Sequence, residues 1–374
     1  MSTDINLHKK YGLTKVINAA GTFTPYGVSR SSPRVASNVQ HALEEFWLID
    51  ELQNAANHKL SDWSGAQAGT IVHCTAAAIT LSIAAAMTGT DDQKIANLPI
   101  LKSLPNRVIL PATHAINYGQ SILQAIRLAG AEPVLAGSSH HCTLADLQEQ
   151  MPEPGAACLL LVSSRLVTSD DIDLKTAVEM AHNAGIPAII DGAAQDMRFA
   201  ELLETGTDLL LASAQKYLSA PTAGLIIGSN AMVDAVRANE RGIGRAMKAS
   251  KEAILGVLAA IEERQEMNMS DWQSKQQKKL SRFLEKANEI DAITAISIPD
   301  ITGLPLARAC LSLSTTKTNM DAIGLVKALK NGNPSIRVME YALQDEKILL
   351  ELVPLQNDEI TLILARLSEI LAPE

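Results

Sequence analysis

The sequence predicts an α/β fold: a mostly parallel central sheet with helices on both faces, followed by a small C-terminal α+β domain. Three observations predict it. From about residue 70 to 230, short apolar runs of β type alternate with segments of helical period. Gly130, Gly185 and Gly206 stand where helices should stop, each just ahead of the next apolar run, as helix C-caps do. After Gly244 the texture changes to long stretches rich in Ala, Glu, Lys and Gln, and then to a mixed strand and helix pattern.

Residues 1–45 are rich in Gly, Pro and Ser and read as an irregular arm lying against the rest of the molecule or a partner subunit. Residues 46–244 read as the large domain. Its β-type runs fall at 70–73, 107–110, 132–135, 157–162, 186–190, 208–212 and 224–227, and its helical segments at 76–87, 119–129, 144–150 and 174–184. Strand–helix–strand alternation at this spacing implies parallel pairing. Residues 245–374 make up the rest. Long helices are expected over 245–290, then a strand from about 305, a helix at 319–330, strands at 335–339 and 347–353, and a closing helix at 358–371.

A chain of 374 residues with 47% hydrophobic content can bury a core without disulfides. Cys74, Cys142, Cys158 and Cys310 lie far apart, with no CxxC pair or zinc-finger spacing, and read as free thiols in a reducing cytoplasm. His140, His141 and Cys142 are adjacent, but successive strand residues point to opposite faces, so no metal site is expected. The net charge of −9 gives no overall field for nucleic acid or anionic membrane. No signal peptide and no membrane span is visible. The expectation is a cytoplasmic protein acting on a small molecule, without a nucleic-acid or membrane partner.

Two segments 25 residues apart carry the strongest chemical signal. The first is an apolar strand ending in Asp191, Gly192, Ala193 and Ala194. The second ends at Ser213 and is followed by Lys216 and the small-residue turn Ala220, Pro221, Thr222, Ala223, Gly224. Each places a charge beyond the C-terminal end of a strand, the edge where open α/β sheets bind ligands. Singly, Asp191 reads equally as a helix cap and Lys216 as a solvated lysine. Together they suit pyridoxal phosphate: the lysine forms a Schiff base with the aldehyde, and the aspartate keeps the pyridinium nitrogen protonated. Ala193 is small enough to leave room for a flat ring.

Cys74, Thr75 and Ala76 look like a strand end passing into a helix N-terminus, whose free N–H groups and dipole would hold a phosphate dianion. Thr75 is equally a helix N-cap, and Cys74 reads as a packed thiol rather than a nucleophile. His114, at another strand end, could stack on the pyridine or be an ordinary surface histidine; Asn117 and Tyr118 are lesser candidates. Arg241, Arg245, Lys248 and Lys251, at steps of 4, 3 and 3, suggest one basic helix face, either solvated or an anion site for cofactor phosphate or an acidic substrate. Arg337 has a planar fork suited to a substrate carboxylate, with Arg30 and Arg34 weaker candidates. The GxGxxG, GxxxxGK[ST], GxSxG and HExxH patterns are absent.

On these residues the chain resembles the SelA-like family of fold-type I pyridoxal-phosphate enzymes, which includes selenocysteine synthases and D-glucosaminate-6-phosphate ammonia-lyases. The resemblance runs through Val16, Ile17, Asn18 and Gly21, the Cys74 to Ala78 cup, the Asp191 block, Lys216 with its turn, the block at 243–252 and the block at 332–336. It implies an aspartate-aminotransferase-like fold and active sites shared in a homodimer or larger homo-oligomer. It also implies that Lys216 and Asp191 are catalytic, that Thr75 and Ser213 hold phosphate, and that His114 lies over the ring. The family's tRNA-holding N-terminal domain has no counterpart ahead of Val16, and the acidic charge argues against a tRNA surface.

The expected reaction is a lyase-type α,β-elimination on a small β-hydroxy or amino-sugar acid such as D-glucosaminate 6-phosphate. Lys216 takes the α-proton, the hydroxyl leaves as water, and a 2-keto acid and ammonia result. Arg245 and Lys248 could receive a substrate phosphate. The alternatives are an amino-acid racemase or epimerase, a non-catalytic cofactor-binding protein, and tRNA-dependent selenium transfer.

Overall fold

A computed structural model describes residues 6–100, 105–151, 155–167, 172–314 and 316–372. Through these residues run the strands β1 (Val16–Asn18), β2 (Ala68–Val72), β3 (Arg107–Pro111), β4 (Glu132–Ala136), β5 (Ala156–Val162), β6 (Ala188–Asp191), β7 (Leu209–Ser213), β8 (Gly224–Gly228), β9 (Ile293–Pro299), β10 (Ala307–Leu313), β11 (Ser335–Arg337) and β12 (Lys347–Leu350). They divide between two compact units, Ser31–Glu266 and Met1–Arg30 with Met267–Glu374.

The larger unit is built on a seven-stranded sheet in the order β2-β8-β7-β6-β5-β3-β4. Strands β4, β3, β5, β6 and β7 are parallel, whereas β8 runs antiparallel to both β7 and β2. Alternation along each strand splits the core in two. Ile109, Leu159, Leu161, Leu210 and Leu225 pack on one face; Val108, Leu160, Leu209, Leu211 and Ile226 pack on the other. Helices Ile49–Ser64, Leu174–Asn183 and Lys251–Glu266 supply the first core, and Thr75–Thr88, Ile122–Leu128 and Asn230–Asn239 the second. Burial on both faces is why these strands read as unbroken apolar runs. Each such leucine or isoleucine contributes roughly 1.5–3 kcal/mol by leaving water. Gly130, Gly185 and Gly206 adopt φ of +86°, +75° and +83°, the left-handed turn that ends a helix ahead of the next strand.

The strand order reverses once in a way that matters for function. From β3 the chain moves outward to β4, then returns to place β5 on the other side of β3. Such a reversal opens a crevice beyond the C-terminal ends of the strands, where open sheets bind ligands.

In the smaller unit β12, β10 and β9 form an antiparallel sheet, and β1 pairs in parallel with β11, with Asn18 opposite Arg337. Helices Met269–Ala287, Ala322–Asn331 and Asn357–Ile370 bury Phe283, Leu325 and Ile363 in its core. Among the described residues no helix is long and apolar enough to cross a membrane.

These units differ from the division at 45 and 244 that the sequence suggested. The segment up to Arg30 belongs with the C-terminal unit because β1 is a strand of it; residues 1–5 of the expected arm lie outside the described residues. The rest of that arm is the helix Pro33–Glu44, opened by Pro33 and capped by Ser32, whose Oγ accepts from the Val35 N–H at 3.1 Å. The later boundary moves to Glu266 because Ile254, Val257 and Ile261 pack in one core with Val35 and Leu52. Strand β9 was not expected; only Ile293 and Ala295 alternate inward along it, a short signal beside a long helix.

The basic stripe requires correction. Arg241 lies in a turn, Arg245 in the 3-10 turn Ile243–Ala246, Lys248 forms a β-bridge to Val72, and Lys251 opens the next helix. Close packing at two glycines breaks the expected helix. A Cβ at Gly242 would fall 2.6 Å from Ile95, and one at Gly244 2.6 Å from Leu81.

Candidate active site

Asp191 is the last residue of β6, and Lys216 lies three residues beyond the end of its parallel neighbour β7. The sheet therefore delivers an acid and an amine to the same edge. Asp191 is 3% exposed, and its Oδ1 accepts from the Ala193 N–H at 3.0 Å. Burial pushes its carboxyl above the usual range, opposed by that N–H and by the charge of Lys216. Burial also pushes the Lys216 amine below its ordinary value; Asp191 and Asp196 favour its charge, and Arg165 opposes it. A lysine so depressed is a better nucleophile and proton acceptor than a solvated one.

A third element comes from the start of the helix Thr75–Thr88, entered directly from β2. Its N-cap residue, Cys74, makes no side-chain cap, so the first N–H groups of the helix, those of Thr75 and Ala76 among them, are left uncapped by it. Gly224 of β8 lies against this turn. An added Cβ there would sit 2.5 Å from the Cys74 carbonyl oxygen and 3.0 Å from the Thr75 nitrogen. Ser213 is the register partner of Gly224, and Thr75 Oγ1 donates to the Ala212 carbonyl at 3.3 Å. Cup, Ser213 and the Lys216 turn thus adjoin one another.

His114 closes the 3-10 turn after β3 and is buried. Its Nδ1 accepts from the Val162 N–H at the end of β5, 2.9 Å away. Accepting there requires a neutral ring with its proton on Nε2. The crevice between β3 and β5 is therefore bridged by this imidazole. The Tyr118 hydroxyl is buried without a hydrogen-bond partner among the described residues, and desolvation together with nearby Asp191 and Cys74 pushes it far up. Asn117 is exposed and turns back onto the Gly119 N–H.

This donor set fits pyridoxal phosphate. An uncapped helix start kept open by a glycine suits a dianion, a buried carboxylate suits a protonated pyridine, and a desolvated lysine suits an aldehyde. The Tyr118 hydroxyl, buried and unpartnered among the described residues, is a polar group at this edge that a polar ligand would satisfy.

The other predicted residues lie elsewhere. Arg245 and Lys248 are exposed on the segment that bridges to β2 just ahead of the cup. Arg241 is paired with Asp92 at 3.0 Å, and Lys251 donates to the Glu45 carbonyl. Within the smaller unit, Arg337 lies 5.4 Å over the Tyr26 ring, with its Nε buried and unpartnered among the described residues. Arg30 is committed there to both carboxylate oxygens of Glu359 and to the Pro354 carbonyl. Arg34 pairs with Glu262 and Glu266. Sequence reasoning missed Arg165, Asp196 and Arg264, which bear on the Lys216 turn. Only Asp196, five residues beyond Asp191, carried a signal in its position.

No family model matches the chain. It is 30% identical over 366 residues, 98% of each chain, to a D-glucosaminate-6-phosphate ammonia lyase from Salmonella typhimurium. A solved structure of D-glucosaminate-6-phosphate ammonia-lyase covers 98% of each chain with a TM-score of 0.89 and 29% identity. A 5'-C-glycyluridine monooxygenase-decarboxylase from a Streptomyces species is 27% identical over 97% of this chain and 92% of its own. An L-seryl-tRNA(Sec) selenium transferase from Clostridium perfringens is 24% identical over 68% of this chain and 56% of its own. A Sphingomonas wittichii serine palmitoyltransferase shares the fold, with a TM-score of 0.59 and 15% identity over 94% of this chain and 86% of its own.

Proposed function

Because the chain belongs to the family of D-glucosaminate-6-phosphate ammonia-lyase, among the SelA-like fold-type I enzymes, we propose that it releases ammonia from a phosphorylated amino-sugar acid. It is a pyridoxal-phosphate-dependent lyase. The observation that carries the substrate reading is a full-length relationship to that ammonia-lyase in a chain that sets Asp191 beside Lys216.

When bound, pyridoxal phosphate supplies an aldehyde that condenses with amines and a ring that takes up the electron pair left by a departing α-proton. The Thr75 and Ala76 N–H groups and Ser213 hold its phosphate, with Cys74 in the same turn and Ala193 small enough to pass the ring. Asp191 keeps a proton on the pyridine nitrogen. His114, fixed by Val162, offers its ring face. Lys216 Nζ takes the substrate's α-proton, and its depressed basicity matches that work. The β-hydroxyl leaves as water, and hydrolysis of the resulting enamine, through its imine, consumes one water and gives a 2-keto acid and ammonia. Arg337, whose buried Nε has no partner among the described residues, has the planar fork that suits a substrate carboxylate. Arg245 and Lys248, exposed near the cup, suit the distal phosphate. Arg30 is not retained for substrate, because Glu359 engages it.

A second copy of the chain is proposed to complete the enzyme. Leu43, Phe46, Trp47, Leu48 and Ile49 form an exposed apolar run, and Lys251, close behind the bridge to β2, holds the Glu45 carbonyl and lies over the Phe46 ring. Lys251 thus ties the run to the segment that bridges to β2. Free Cys74, Cys142, Cys158 and Cys310 suit a reducing cytoplasm.

Holoenzyme supplied with D-glucosaminate 6-phosphate in deuterium oxide tests the reading. Equal release of ammonia and a 2-keto acid supports it. Cα exchange without ammonia would instead indicate racemisation, and oxygen uptake with carbon dioxide release the chemistry of the Streptomyces relative.

A further inference from the structure

Arg264 takes no part in the chemistry described above, yet it joins the two loops on which that chemistry depends. It lies near the end of the helix Lys251–Glu266, and its side chain is 8% exposed. Its Nη2 stands 3.1 Å from Asp196 Oδ2 and donates to the Tyr217 carbonyl at 2.5 Å. Asp196 opens the 3-10 turn Asp196–Arg198 in the loop that begins at Asp191, and its side chain is 1% exposed. Tyr217 follows Lys216 directly.

We propose that Arg264 is a positioning residue for the reaction: its single planar cation clamps the loop after β6 to the loop after β7 and so fixes Lys216 relative to Asp191. The inference rests on the assignment of Lys216 above. A buried guanidinium is costly to desolvate and is retained where its several N–H groups are used at once. Here one terminal nitrogen, Nη2, serves a carboxylate and a main-chain carbonyl together, held in direction by the rigid plane of the guanidinium where a lysine's ammonium would turn freely on its flexible stem.

The clamp also sets the field at the amine. The charged groups bearing on Lys216 are Asp191 and Asp196, which favour its charge, and Arg165, which opposes it alongside burial. Burial has already raised Asp196 to about 6 despite Arg264. Without the guanidinium, Asp196 rises further and becomes neutral near pH 7, and Lys216 loses one of its two supporting acids.

The test uses holoenzyme carrying Arg264→Gln, Arg264→Lys or Asp196→Asn, followed by kcat, KM, thermal unfolding and the pH midpoint of the visible absorption band. Arg264→Gln should lower kcat about tenfold or more, with KM within about threefold. It should also move the midpoint to lower pH by about half a unit or more. Arg264→Lys should restore the midpoint but not kcat. Asp196→Asn should move the midpoint in the same direction as Arg264→Gln, and with Arg264→Lys it decides the matter if the glutamine variant does not fold. Wild-type kcat and midpoint in the folded Arg264 variants would overturn the proposal, as would losses confined to thermal stability. A visible band that survives Lys216→Ala would instead overturn the assignment of Lys216.

Discussion

Asp191 and Lys216, on adjacent strand ends, each offset part of the burial the other suffers. The lysine's charge draws the raised carboxyl of Asp191 back down, and the carboxylate draws the depressed amine of Lys216 back up. Among the described residues neither is neutralised by a dedicated salt bridge, so both remain sensitive to what binds between them.

Asp191→Asn should therefore separate activity from stability. The folded carboxyl titrates above its unfolded value, so the native state binds more protons between the two, and stability falls as pH rises through that window. An amide removes this penalty, while Lys216 responds by shedding its proton. Apoprotein melts near neutral pH should show no loss of Tm, whereas kcat should fall about 10²–10³-fold, as for removal of a preorganised electrostatic group.

Gly224→Ala tests the phosphate cup. The new methyl carbon would meet the Cys74 carbonyl at 2.5 Å and the Thr75 nitrogen at 3.0 Å, both main-chain atoms that cannot swing aside. Cofactor affinity, read by equilibrium dialysis of pyridoxal phosphate, should weaken about tenfold or more, equivalent to about 1.4 kcal/mol. Unchanged affinity would place the phosphate elsewhere.

Glu240 predicts a pH dependence unrelated to catalysis. It stands at the C-terminal end of the helix Asn230–Asn239 with its Oε1 buried and unpartnered among the described residues; burial pushes it to about 7, with Arg237 lowering it and Asp50 raising it. Its contribution is fully present below the unfolded value near 4.5 and is lost as pH rises through about 7. Glu240→Gln should thus be more stable than wild type at pH 8, by about 1–3 kcal/mol, and no more stable at pH 4.5. Denaturant unfolding at the two pH values checks the sign.

Phe46, fully exposed, with Trp47 and Leu48 beside it, predicts an interface between copies. Replacing Phe46 and Trp47 by serine should convert the assembly to monomer in light scattering and lower kcat. A wild-type assembly state in that variant would remove this surface from the interface.

The parallel sheet was legible because double burial writes itself as apolar runs, and Asp191 and Lys216 because the one ends such a run and the other follows one by three residues. Helix Pro33–Glu44 carried its Ser32–Pro33 signature within a stretch that otherwise read as irregular. Arg264 could not be found in the same way, since a tertiary crossing brings it to Asp196 from 68 positions along the chain. The supposed basic helix failed for a related reason: the tight contacts of Gly242 and Gly244 are made with Ile95 and Leu81, far away in sequence.

The most direct test of the account is the visible absorption of purified protein supplied with pyridoxal phosphate, before and after borohydride, in wild type and Lys216→Ala. The account predicts a yellow band in the wild type that borohydride bleaches, leaving the cofactor covalently on Lys216, and no such band in the variant. A borohydride-sensitive band that persists in Lys216→Ala, or a wild-type protein that takes up no cofactor, would contradict it.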